Sequence, residues 1–185
     1  MKKLILMGVS GSGKSAAATA LAENAHCRVI EIDDYLLEHE NLDVAALIWE
    51  EQHQQALAAQ TRITLELLGQ ETGEQLQVLV LPPNVCGQVE VQKALAELAH
   101  RGQGEAVIVE LTADLDTLMR RTGLNAPRAV GFGPLRRTFA KMVEDYRASW
   151  KPVVREMLDT TGREPADIAA ALLALTSSPR YPKAD

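Results

Sequence analysis

Near the start of the chain, Gly8-Val9-Ser10-Gly11-Ser12-Gly13-Lys14-Ser15 follows the pattern G-x-x-x-x-G-K-[ST] in full, directly after the apolar run Leu4-Ile5-Leu6-Met7. Glycines at this spacing let the backbone wrap so that successive N–H groups point at one centre, which suits phosphate oxygens. Gly11, Ser12, Gly13 and Ala16 are candidates to contribute such groups. Lys14 adds a point charge for the β- and γ-phosphates, and Ser15 brings a hydroxyl that can hold Mg²⁺ at a helix N-terminus. The chemistry implied is the binding of ATP with Mg²⁺.

Two further groups of residues carry charge where it could act. Arg28-Val29-Ile30-Glu31-Ile32-Asp33-Asp34 reads as a short apolar strand ending in two carboxylates. In an open α/β sheet, ligands gather beyond the carboxyl ends of the strands, so Asp33 and Asp34 are expected beside the loop. Either could place Mg²⁺ or take a proton from a substrate hydroxyl, and either could cap the next helix. Gly123 to Pro134 holds three glycines, two prolines and Arg128, preceded by Arg120-Arg121. It is not regular structure, and its arginine is suited to closing over phosphates. His53, in the polar run Glu50 to Gln55, reads as a surface residue.

The elements that must position these groups alternate. Ala16 to Glu23 is strongly helix-forming, and Leu42 to Leu68, which lacks Gly and Pro, reads as two helices forming a flap, with Leu42, Ala46, Trp49, Ala56 and Ile63 on its apolar side. Leu76 to Leu81 reads as a buried strand stopped by Pro82-Pro83-Asn84, Val91 to Arg101 as a helix, and Ala106 to Leu111 as a strand. Helices over Ala113 to Arg121 and Pro134 to Trp150, a short strand over Met157 to Thr161 and a helix from Pro165 to Leu175 complete the chain. The alternation predicts a parallel sheet covered on both faces.

Composition narrows the function classes. With 185 residues and 46% hydrophobic content, the chain fits one domain, residues 1–185, with a flap at about 35–70 and a lid at about 123–134. A net charge of −6 and only 4% aromatic residues argue against nucleic acid as the partner. No apolar run approaches a membrane span, and Gly8 opens the loop before a signal-peptide core could form. Cys27 and Cys86 are too few for a disulfide scaffold, and a cytoplasmic location is expected.

Together these features resemble the shikimate kinases, a family of P-loop small-molecule kinases. The likeness is strongest in the loop, in Arg120-Arg121-Thr122-Gly123-Leu124-Asn125-Ala126-Pro127-Arg128, and in Leu158-Asp159-Thr160-Thr161-Gly162-Arg163-Glu164-Pro165. It implies a three-layer α/β/α fold with Arg121 along the adenine, Arg128 as the lid arginine on phosphate, Arg147 on the substrate carboxylate and Asp34 on the acceptor hydroxyls. The substrate half departs from the family. Its Asp-x-Asp reads Ile32-Asp33-Asp34, so the Mg²⁺-placing acid is either missing or shifted to Asp33. The flap arginine falls at Ala58 and the glutamate after it at Thr61, and Pro82-Pro83-Asn84 stands where the family has a glycine run. Arg62, one helical turn beyond Ala58, is the candidate to restore the lost charge.

The expected activity is therefore transfer of the γ-phosphoryl group of ATP to a hydroxyl of a small, acidic, shikimate-like metabolite. Lys14, Arg128 and Mg²⁺ would stabilise the transferring group while Asp34 acts as base. A nucleotide-binding module that has lost phosphotransfer, and a kinase for another acceptor such as gluconate, are the rival readings. The His-Pro and Asp-Arg signatures of gluconate kinases are not found after Asp34.

Overall fold

The computed structural model describes residues 3–73, 75–100, 106–124 and 133–177. Strand β1 (Lys3–Met7) is followed by helix α1 (Lys14–Asn24), strand β2 (Cys27–Glu31) and helices α2 (Ile32–Glu40), α3 (Val44–Trp49) and α4 (His53–Gly69). Then come β3 (Leu76–Val80), α5 (Pro83–Cys86), α6 (Val89–His100), β4 (Ala106–Thr112), α7 (Leu115–Arg121), α8 (Gly133–Trp150), β5 (Glu156–Asp159) and α9 (Pro165–Thr176). The strands form one parallel sheet in the order β2-β3-β1-β4-β5.

Alternation along β1 divides the core. Ile5 and Met7 pack on the face shared with Ile63, Leu67, Leu95, Phe139 and Trp150, while Leu4 and Leu6 face Ala17, Leu21, Ile168 and Leu172 of α1 and α9. All of these side chains are buried, so the central strands read as continuous apolar runs. The chain leaves β1 for β2, returns to β3, then crosses to β4 on the other side of β1. That reversal opens a crevice beyond the carboxyl ends of the strands.

Three local differences from the sequence reading bear on the site. The strand expected to reach Asp34 ends at Glu31, and Asp33 and Asp34 lie in the first turn of α2, where carboxylates complement the helix dipole. Pro83 opens a single helical turn, a position where its missing N–H costs nothing. Trp49, expected on the buried side of the flap, is 89% exposed because the six-residue α3 ends there. Among the described residues no helix is long and apolar enough to cross a membrane.

Lys3 is a buried lysine inside a core strand. Its Nζ donates to the carbonyls of Leu67, Leu68 and Gln70 at 2.8, 2.6 and 2.7 Å, which ties β1 to the carboxyl end of α4. Those carbonyls have no helical partner of their own, and a cation there also meets the negative end of the helix dipole. Lys3→Met should lower the unfolding free energy by about 2–3 kcal/mol in urea titrations. An unchanged midpoint and slope would show that the cap contributes nothing.

Candidate active site

The loop between β1 and α1 is held by close backbone approach. A Cβ on Gly8, whose φ is +142°, would lie 2.4 Å from the carbonyl oxygen of Leu111 and 2.6 Å from Ser12 Oγ, so no side chain fits. Gly13, at φ +93°, is the N-cap of α1 and brings no side-chain cap, leaving the first-turn N–H groups of Lys14, Ser15 and Ala16 for an anion. Lys14 Nζ donates to the carbonyls of Gly8 at 2.7 Å and Val9 at 3.3 Å. Burial lowers its pKa, while the charges of Glu31 and Asp33 oppose that shift.

The far side of the loop is pinned from the end of the chain. Arg121 Nη1 donates to Gly11 O at 3.2 Å and Thr160 Oγ1 at 2.9 Å, and its Nη2 donates to Thr160 O at 3.0 Å. Thr160 Oγ1 lies 3.0 Å from both Ser12 O and Thr112 O and donates there. Arg121 thus sits against the loop, and its guanidinium edge supports the backbone there.

Three groups meet in a cavity of about 160 Å³ lined by Lys14, Ser15, Glu31, Asp33 and Pro82-Pro83. Ser15 Oγ donates to Glu31 Oε2 at 2.8 Å. These two hard oxygen ligands fit Mg²⁺, which takes one or two protein oxygens and fills its octahedron with phosphate and water. Among the described residues no cluster of three His, Cys, Asp or Glu could hold a metal without such help. Loss of hydration raises the carboxyls of both Glu31 and Asp33, partly offset by hydrogen bonds from Ser15 and Gln60 respectively. Asp33 Oδ1 accepts from Gln60 Nε2 at 2.6 Å, and Gln60 Oε1 accepts from Asn84 Nδ2 at 2.9 Å.

Several sequence assignments are corrected. Asp33, not Asp34, lines the cavity. Successive helical residues are about 100° apart, which leaves Asp34 outside the lining. The acid hydrogen-bonded to Ser15 is Glu31, which the sequence reading passed over, with Asp33 in the same cavity lining. Arg62 does not reach the site, because its Nη2 pairs with Glu40 Oε2 at 2.5 Å on an exposed surface. Arg147 is also committed elsewhere, its Nε donating to Glu110 Oε1 at 3.0 Å. Glu110 is nearly buried on β4, and a buried carboxylate holds its partner firmly. Tyr146 instead reaches the larger cavity next door, about 590 Å³ and also lined by Leu57, Asn84, Gln88, Met142 and Ser149. On the flap Ala58 is exposed, and the residue turned to the site is Gln60. Arg128 and most of the lid lie outside the described residues.

Sequence signals for the missed groups existed. Glu31 and Asp33 are two apart across a strand-to-helix junction, which is the family's acid-x-acid spacing in a different register from Asp33-Asp34. Gln60 stands in an apolar stretch of α4 at 2% exposure, and a buried amide needs partners.

Arg147→Ala should cost about 1–3 kcal/mol of stability by stranding Glu110, with no change in the KM of any acceptor. A raised KM at unchanged stability would return it to the site. Asp33 gives a pH signature with a definite sign. Its native pKa lies above the unfolded value, so the ionised form penalises the fold at neutral pH and the penalty vanishes once pH falls below the unfolded aspartate pKa. Asp33→Asn should therefore be at least as stable as the parent at pH 7, with the difference closing between those two values. Denaturation across pH measures it, and a variant less stable at pH 7 contradicts the assignment.

Comparison with known proteins places this geometry in a family. The shikimate kinase of Streptomyces avermitilis is 28% identical over 171 residues, 92% of this chain and 93% of that one. The shikimate kinase of Streptomyces coelicolor is 25% identical over 170 residues, 92% of each chain. Among solved structures, shikimate kinase from Acinetobacter baumannii in complex with shikimate superposes with a TM-score of 0.74 at 16% identity, covering 95% of this chain and 92% of that one. A gluconokinase from Sinorhizobium meliloti gives 0.53 at 24% identity over 95% and 91%. The fold is the P-loop kinase fold of the shikimate kinase structures. Residues 4–148 match the AAA domain family, and with its phosphate loop in place the chain belongs to that family of P-loop proteins.

Proposed function

We propose that this protein is an ATP-dependent kinase that moves the γ-phosphoryl group to a hydroxyl of a small polar molecule. The observation that carries the reading is the convergence of Lys14, the Ser15–Glu31 pair and Asp33 on one small cavity at the mouth of the sheet. A second, larger cavity, whose lining begins at Asn84 directly after Pro83 of the first, is of a size to take an acceptor. The curated relatives named shikimate kinase support a phosphotransferase, as does the likeness to a gluconokinase.

In this reading the loop N–H groups and Lys14 bind the triphosphate and draw charge from the γ-phosphoryl group as it transfers. Ser15 and Glu31 would hold Mg²⁺, which would supply positive charge against the phosphate oxygens. Asp33 orients the acceptor hydroxyl and takes its proton. A bond forms from that oxygen to the γ-phosphorus, the bond from phosphorus to the bridging oxygen of ADP breaks, and ADP leaves with the electron pair. A carboxyl raised by burial is a better proton acceptor than a solvated one, and Gln60 fixes which oxygen faces the acceptor. Arg128 on the lid would complete the charge clamp, and closure would keep water from competing. Free Cys86, buried with its thiol pushed up to about 12, and half-buried Cys27 fit a reducing cytoplasm.

Lys14→Ala should weaken ATP binding and cut acceptor-stimulated ADP release by about 100-fold or more. Calorimetry and a coupled assay read the two effects separately. Unchanged ATP affinity would remove the loop from nucleotide binding, and intact ATP binding by the parent with no acceptor-stimulated turnover would favour a module that has lost phosphotransfer.

A further inference from the structure

A chain of amides leads from the transfer cavity to the larger one, and its polarity is fixed at one end. An ionised carboxylate only accepts, so Asp33 forces the NH₂ group of Gln60 toward itself and leaves Gln60 Oε1 facing Asn84. Asn84 must then turn its NH₂ group to Gln60. Burial of Gln60 at 2% exposure leaves no solvent to relax that order. Asn84 keeps its Oδ1, an acceptor, and the second hydrogen of its Nδ2 for the cavity it lines.

Two further groups of the wall offer acceptors, beside the hydroxyls of Thr138 and Tyr146, which can also donate. Gln88 Nε2 donates to Asn84 O at 3.2 Å and Ser149 Oγ donates to Tyr146 O at 2.7 Å, which leaves Gln88 Oε1 and the Ser149 lone pairs for a ligand. Among the described lining residues Lys141 is the one cation, and it lies 3.8 Å from Asp145 in an exposed pair. Arg62 and Arg147 are bound to Glu40 and Glu110. A carboxylate entering this cavity would lose its hydration and meet amide oxygens, with no described guanidinium to replace the water. Hydroxyl groups would find acceptors.

We propose that the acceptor is a polyhydroxy compound without a carboxylate, held by hydrogen bonds from its hydroxyls to Asn84 Oδ1 and Gln88 Oε1. This rests on the kinase reading above and replaces the acidic acceptor expected from the sequence. Asn84 and Gln88 are then specificity-determining residues, with Gln60 the positioning residue that sets the polarity of Asn84.

Matched acceptors that differ at one terminus test it: glucitol against gluconate and ribitol against ribonate, with shikimate alongside, in a coupled ADP-release assay. Calorimetric titration of each into protein with ADP and Mg²⁺ gives binding without turnover. The alcohol of each pair should exceed its acid by at least about tenfold in kcat/KM and in affinity. Asn84→Leu should reduce that preference at least about fivefold with the ATP Kd unchanged, and Gln88→Leu should act in the same direction if Asn84→Leu does not fold. A smaller ratio, a preference for the acid, or an unaltered ratio in both variants overturns the acceptor class and leaves the kinase intact. No binding and no turnover of either class by a protein that still binds ATP overturns the phosphotransfer reading itself, and the acceptor class with it.

Discussion

One ammonium and two carboxylates share about 160 Å³ at the mouth of the sheet, and burial works against the charge on all three. None of them is relieved by full neutralisation. Lys14 rests on backbone carbonyls, Glu31 on the hydroxyl of Ser15, and Asp33 on the amide of Gln60. These are weaker partners than a phosphate, a divalent cation and a hydroxyl would be, so the site is arranged around charges that it does not supply itself. The remainder of the structure keeps those three groups in place and keeps water from solvating them freely.

The fold achieves this with strand ends. β1 delivers the loop, β2 delivers Glu31 at its last residue, and the first turn of α2 brings Asp33 round beside it. β3 ends in Pro82-Pro83, whose rigid turn sets Asn84 against Gln60 from α4. β4 passes so close to Gly8 that the carbonyl of Leu111 occupies the space of a side chain, and β5 leads directly into Thr160, which fastens Ser12 and Arg121 together. Every strand of the sheet thus ends on a part of the site, and buried apolar faces on both sides fix the spacing between those ends.

The arginines show how composition misleads when partners are unknown. Arg62 and Arg147 carry the charge that an acidic substrate would need, and each is taken by an acid distant in sequence, Glu40 by an exposed pair and Glu110 by a nearly buried one. The amides of Asn84 and Gln88 stand on the cavity wall, and a buried amide chain takes a fixed orientation when a charge sets it. Here the carboxylate of Asp33 does so across two links. The same short chain thereby joins the group that would take a proton to the wall that would recognise the acceptor.

The phosphate loop, the alternation of strands and helices and the helical flap were legible from residue types alone, because glycine positions, apolar runs and proline stops act locally. Helix α8 and the strands fell within a few residues of their observed ends for the same reason. Which carboxylate faces the cavity was not legible. A shift of the strand end from Asp34 to Glu31 rotates Asp33 and Asp34 by a helical step each, and the energy that decides it lies in packing Ile32 and Leu36 against the core. Nor could the sequence choose partners for Gln60, Arg62 and Arg147, since those partners are 22 to 37 residues away and meet only when the sheet closes. Local chemistry thus determined the phosphate-loop geometry, and only long-range packing decided which side chains surround it.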